Sequence, residues 1–207
     1  MHRTPIPEAL AKAMCSLAWF YGWRSWVGVT VLAFYGAGRL GEILKCCRED
    51  LMLSADLLEP KDKPCFLKLR SFKSLHRQPA RIQHMKVSDP TACRLLHKVF
   101  FRLPLDALLF AATHYQYRKR WDILLDVLGV DPALRLTPGG LRGGAAVYHY
   151  RAGRAINDVL WLLRLRNQQT LESYLQEVAA LNTLATMSST SRSSIKEFSS
   201  IFPFLAA

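Results

Sequence analysis

Leu40, Ile43, Leu44 and Cys47 fall at i, i+3, i+4 and i+7, one apolar stripe of a helix that begins at Arg39. The helical period recurs on both sides. Thr4-Pro5-Ile6-Pro7-Glu8 reads as a helix start, with proline in the first turn and an acid near the positive end of the dipole. It predicts a helix to about Phe20. Trp23 to Tyr35 predicts a second, largely buried helix, broken by Gly36-Ala37-Gly38. The period then falls to two. Leu51 to Leu57, Cys65 to Phe72 and Arg81 to Val87 predict three short strands, the second alternating apolar and basic residues as a half-exposed strand does. The connection Lys73 to Ala80 is basic and carries Pro79.

From Pro90 the helical period returns. Thr91 to Leu103 and Tyr115 to Leu128 predict two helices, the latter capped by Gly129. Ile156, Val159, Leu160 and Leu163 mark another, and Leu171, Tyr174, Leu175 and Val178 share the face of one more. Thr186 to Ser200 is Ser-rich and predicts an unstructured segment, followed by the apolar end IFPFLAA. There is no internal repeat. The expected fold is α+β, mostly α: helices around one small three-stranded antiparallel sheet. The expected organisation is one domain over residues 1–182 and a flexible tail over 183–207.

Composition narrows the partners. Half of the 207 residues are apolar, enough for a packed core. Lys and Arg number 28 against 16 Asp and Glu, a formal charge of +12. That excess suits a polyanion, nucleic acid first and an anionic membrane surface second. A generally basic protein without such a partner is the plainer alternative. The cysteines at 15, 46, 47, 65 and 93 form no CxxC pair and no zinc-finger spacing, so reduced thiols of an intracellular protein are expected. No secretory signal is expected at the N-terminus. The most apolar stretch, Trp26 to Ala37, is too short to span a bilayer.

Four residues could carry chemistry: Arg39, Lys73, Arg142 and Tyr174. Arg39 enters a helix behind Gly36 and Gly38, where an anion is favoured; an ion pair with Glu42 one turn on explains it equally. Lys73 sits in the predicted hairpin connection, within reach of a DNA groove or merely solvated. Arg142 lies between Gly139-Gly140 and Gly143-Gly144, which would let a helix pack tightly or a phosphate approach. Tyr174 shares an apolar stripe, so a core tyrosine is the simpler reading.

Taken in order, these residues resemble the catalytic domain of the tyrosine recombinases (phage-integrase family), in the divergent form of eukaryotic mobile elements. Three stretches carry the resemblance: FYGAGRLGEILKCCREDL, LTPGGLRGGAAVYHYRAG and INDVLWLLRLRNQQTLESYLQEV. It covers residues 5 to 180. It implies that Tyr174 attacks phosphorus to give a 3′-phosphotyrosyl link. It implies that Arg39 and Arg142 hold the nonbridging oxygens and that Lys73 protonates the leaving 5′ oxygen. Arginine suits that role because its planar fork matches two phosphate oxygens and stays charged. The covalent intermediate would allow rejoining without ATP.

The resemblance further implies double-stranded DNA as partner, no metal or other cofactor, a nuclear location and a tetramer on paired sites. Lys68, Arg70, Arg77, Arg81, Arg164 and Arg166 are the expected DNA-binding cations. Two positions depart from the family. Gly139 stands where it keeps histidine, and Leu165 where it keeps histidine or tryptophan; Arg164 or Arg166 could substitute for the latter, and His84 and His149 are candidate bases. The N-terminal helical domain of the family is expected to be missing. A catalytically degenerate DNA-binding remnant and a basic helical protein-interaction module are the alternatives.

Overall fold

The structure is a computed structural model that describes residues 4–70, 83–165, 169, 171 and 177–207. Helices dominate and surround one antiparallel sheet, as the periodicity predicts. Helix α1 spans Glu8–Phe20, with Pro7 at its N-cap and a Glu8–Lys12 ion pair of 2.8 Å across its first turn. Helix α2 spans Arg24–Tyr35 and is buried without interruption from Trp26 to Tyr35. It forms the centre of the molecule, with α1 and the helices introduced below packed on several sides. A helix that is apolar all round has no other stable place.

Strands β1 (Leu51–Met52), β2 (Cys65–Leu69) and β3 (Gln83–Val87) pair in that order, with Leu51 opposite Leu67 and Cys65 opposite Val87. Cys65, Leu67 and Leu69 face the core and Lys68 faces out, the alternation that the sequence carries. Helix α4 (Pro90–Phe100) starts on Asp89, whose carboxylate accepts from the Ala92 amide at 2.8 Å. Helix α5 (His114–Val127) starts on a Thr113/Gln116 capping box and ends where Gly129 takes the left-handed conformation, φ +65°. Trp26 stacks on Tyr117 of α5, and the Thr30 and Tyr117 hydroxyls lie 2.6 Å apart, so the polar atoms of this aromatic layer are satisfied.

Three expectations change. The predicted strand Leu51 to Leu57 pairs only at its first two residues, because Ser54–Leu57 closes into a 3-10 turn. Asp56 drives that closure: it accepts from the Leu53 amide at 2.8 Å and pairs with buried Arg48 at 2.9 Å. The helix starting at Arg39 is short, α3 being Leu40–Ile43. The chain leaves it to bond with residues 105–109, where Arg48 N–H donates to Ala107 and Leu109 N–H to Cys46.

The Ser-rich segment, expected as a flexible tail, is ordered. After α6 (Leu141–Arg151), α7 (Ile156–Leu162) and α8 (Glu177–Ala185), Ser188 caps α9 (Ser189–Ile201), and a 3-10 turn, Phe202–Ala206, follows. Ile195 and Phe202 are buried, and α9 lies along α1. Ile195, Phe198 and Phe202 form one stripe at i, i+3 and i+7, which the serine content masks in the sequence.

Candidate anion site

The turn after α2 is the starting point. Gly38 N–H reaches back to the Ala33 carbonyl at 3.1 Å, and the left-handed residue of this turn is Ala37, φ +50°, rather than a glycine. The two glycines serve packing. A Cβ on Gly36 or Gly38 would lie 2.8 or 2.4 Å from Met85 Cε, so the Met85 side chain of β3 occupies the space they leave. That space is therefore not open to a phosphate.

Arg39 leaves this turn in extended conformation at the N-cap of α3. Its Nη1 donates to Glu42 Oε1 at 2.9 Å. The other carboxylate oxygen, Oε2, accepts from Arg164 Nη2 at 2.9 Å, across 122 residues of sequence. Glu42 is buried, so one desolvated carboxylate holds two guanidinium groups. Arg164 follows α7 in a Schellman-type turn, with Arg164 N–H donating to Trp161 and Leu165 N–H to Leu160, both at 2.9 Å. Glycine normally takes the left-handed position of such a turn; here it is Arg164, φ +53°. The side chain is thereby turned into the protein, where desolvation lowers its pKa and the Glu42 carboxylate opposes that effect.

Arg142, in the first turn of α6, completes the arrangement. It is 4% exposed; its Nη1 donates to the Ala37 carbonyl at 3.0 Å and its Nη2 to the Leu163 carbonyl. These two acceptors adjoin the segments that carry Arg39 and Arg164, so Arg142 laces the turn after α2 to the end of α7. Beneath it Ala37, Ala145, Ala146, Val159, Leu162, Leu163 and Leu171 form a small core of their own. Arg39, Arg142 and Arg164 thus converge, the first and last held by the two oxygens of Glu42 and Arg142 by backbone carbonyls.

The glycines around Arg142 also serve packing. A Cβ on Gly140 would sit 2.2 Å from the Thr4 carbonyl, and one on Gly144 2.0 Å from the Ile6 carbonyl. Residues 4–6 cross α6 at contact distance, and Ile6 N–H donates to the Gly140 carbonyl at 3.1 Å. The close approach is made by the protein's own backbone, where the sequence suggested a phosphate.

The remaining expected residues fall into three groups. Lys73, Arg77, Arg81, Arg166 and Tyr174 lie outside the described residues. Lys68 and Arg70 sit at the sheet. Lys68 is exposed opposite His84, and Arg70 pairs with Glu49 and Asp50, beside Lys68 in a cleft of about 430 Å³. Those carboxylates raise the Arg70 pKa, Asp50 first. Of the candidate bases, His149 is buried and its Nε2–H donates to the Tyr35 carbonyl at 3.0 Å. Burial pushes its pKa down to about 4, and its position on α6 turns it toward α2 rather than toward Glu42. Gly139 opens α6 within the 3-10 turn Pro138–Gly140, and Leu165 packs against the small core.

Glu42 is the residue whose role the sequence understates. Its spacing from Arg39 announces one ion pair, whereas the second, to Arg164, exists only in the folded chain. All five cysteines are buried free thiols. Among the described residues no cluster of His, Cys, Asp and Glu is arranged to hold a metal ion, and no helix is long and apolar enough to cross a membrane. No family model, no curated protein and no solved structure matches the chain, so the site stands on its own geometry.

Proposed function

We propose that the protein cleaves and rejoins DNA strands as a recombinase of the tyrosine type, through a 3′-phosphotyrosyl intermediate. The observation that carries this reading is the gathering of Arg39, Arg142 and Arg164 at one turn of the fold. The mostly helical fold with one small sheet agrees with it, and Lys73 belongs to the sequence that joins β2 to β3. In this reading the Tyr174 oxygen bonds to phosphorus as the bond to the 5′ oxygen breaks. The phenol proton passes to water, and Lys73 donates a proton to the leaving oxygen. The arginines stabilise the added negative charge of the pentacoordinate phosphorus. Rejoining is the reverse attack by a 5′ hydroxyl. The protein would act on double-stranded DNA in the nucleus, as a tetramer on paired sites.

One observation favours a second reading, DNA binding without cleavage. Arg142 is buried and both its terminal nitrogens donate to backbone carbonyls, so it is committed to holding the fold together and presents little of itself to a phosphate. A nicked duplex that traps the covalent intermediate separates the two. With sites drawn from a selected library, the wild type should give a denaturation-resistant adduct and Tyr174→Phe none. If neither protein forms an adduct on any site, strand transfer is refuted. DNA binding that weakens steeply with salt would then leave the second reading standing.

A further inference from the structure

Arg164 is 11% exposed, yet it uses one nitrogen in the ion pair with Glu42. Its Nε and Nη1 are buried and have no hydrogen-bond partner. A guanidinium carries five N–H donors, and leaving buried donors of a cation unsatisfied is costly. The backbone adds to this cost, because a non-glycine residue in the left-handed region is disfavoured. The left-handed turn thus carries a cation whose buried edge has no acceptor.

Glu42 shows the complementary defect. Each of its oxygens meets one guanidinium at a single point, where a carboxylate and an arginine normally form a two-point fork. One carboxylate is thus shared by two arginines, and within this trio of Arg39, Glu42 and Arg164 positive charge exceeds negative. Arg39 is the open side, its side chain 38% exposed against 7% for Glu42. An anion arriving from solvent meets Arg39 first and Arg164 behind it.

We propose that Arg39 and Arg164 form a seat for a tetrahedral oxyanion, a phosphate monoester or diester, and that Glu42 is its internal counter-ion. Without phosphate Glu42 keeps the two cations folded together. When phosphate binds, its oxygens satisfy the unpartnered edge of Arg164 and compete with Glu42 for both arginines. Arg164 is then a phosphate-binding residue and Glu42 a positioning residue whose charge opposes binding. The seat rests on the reading of this site as a phosphate site and not on strand transfer.

The test uses inorganic phosphate and the dinucleotide thymidylyl-thymidine as probes, by calorimetric titration and thermal unfolding at constant ionic strength made up with sodium chloride. Phosphate should bind the wild type and raise its midpoint, as any ligand of the folded state does. Arg164→Gln should weaken phosphate binding by about tenfold or more, the loss expected for a charge-assisted contact. Glu42→Gln should lower the midpoint without phosphate and bind phosphate more tightly than the wild type. If Glu42→Gln does not fold, Glu42→Asp, whose shorter arm reaches one arginine at a time, should show the same two changes in smaller degree. The proposal is overturned if phosphate has no effect beyond chloride, if Arg164→Gln binds like the wild type, or if neither Glu42 variant binds more tightly. Thymidylyl-thymidine distinguishes the sources. If phosphate binds and the dinucleotide does not, the seat stands and takes free or terminal phosphate, while the DNA reading fails.

Discussion

Gly144→Ala should destabilise the protein, and Gly143→Ala one residue earlier should not. Both lie within the first turns of α6, where alanine is intrinsically the better residue by about 1 kcal/mol. At Gly144 a Cβ would lie 2.0 Å from the Ile6 carbonyl oxygen and 3.0 Å from its carbon. An ordinary carbon–oxygen contact is about 3.3 Å, so the strap of residues 4–6 would have to retreat by more than about 1 Å. Retreat loosens the Ile6 side chain, which is fully buried, and stretches the bond from Ile6 N–H to Gly140. Those losses are worth about 2 and about 1 kcal/mol, and overpacking strain adds about 1 to 3 kcal/mol if the strap stays. With the strap displaced, the two losses less the propensity gain leave a cost of about 2 kcal/mol for Gly144→Ala. At Gly143 the new Cβ would meet Pro5 at 3.5 Å, ordinary contact, so only the propensity gain remains. Urea unfolding followed by far-ultraviolet circular dichroism reads both as midpoint shifts at unchanged slope. A Gly144→Ala midpoint at or above the wild type, or an equal fall in both variants, would refute the packing role of these glycines.

Three further outcomes follow from the same structure. Burial, more than the charge of Arg154, holds the His149 pKa at about 4, below the ordinary 6.5. The folded state therefore binds fewer protons than the unfolded state between these values, and stability should fall as the pH drops from 6.5 to about 4, by about 3 kcal/mol. His149→Gln should flatten that segment of the wild-type stability curve, and an unchanged slope would count against the burial of a neutral imidazole. Phe202, 1% exposed and stacked on Tyr35 with centroids 6.1 Å apart, should cost about 3 to 5 kcal/mol when replaced by alanine. The folded chain should also resist limited proteolysis over residues 189–201; rapid cleavage there would restore the picture of a free tail.

Periodicity read the burial of this chain well and its hydrogen bonding poorly. The bounds of α1, α2, α4 and α5 and the pairing of β2 with β3 follow from apolar spacing, because spacing is a record of which faces leave water. Leu40, Ile43 and Cys47 of the first stripe are buried too and Leu44 is half-buried, yet the helix stops at Ile43 because Cys46 and Arg48 bond to residues 105–109. Burial pattern cannot report that competition between partners distant in sequence. The same limit applies at the site. Arg39 with Glu42 is a local pair and was legible; Arg164 with Glu42 spans 122 residues and was not. In the Ser-rich segment composition misled, since three apolar residues at i, i+3 and i+7 are enough to dock a helix whose other positions are small and polar.

The packing of α6 and the charge of the site belong to one construction. Residues 4–6 cross Gly140 and Gly144 and fix α6. From its first turn Arg142 ties the Ala37 and Leu163 carbonyls together. Those ties place the flanking residues Arg39 and Arg164, and Glu42 closes the circle between them. A guanidinium on a residue only 4% exposed cannot move without exposing the carbonyls it serves, so Arg142 acts as the frame of the cluster as much as a charge within it. The glycines beside it make room for the strap, and the strap sets the position from which Arg142 reaches across. An anion entering past Arg39 therefore meets a charge arrangement already assembled, in which it competes with the carboxylate of Glu42 for both arginines.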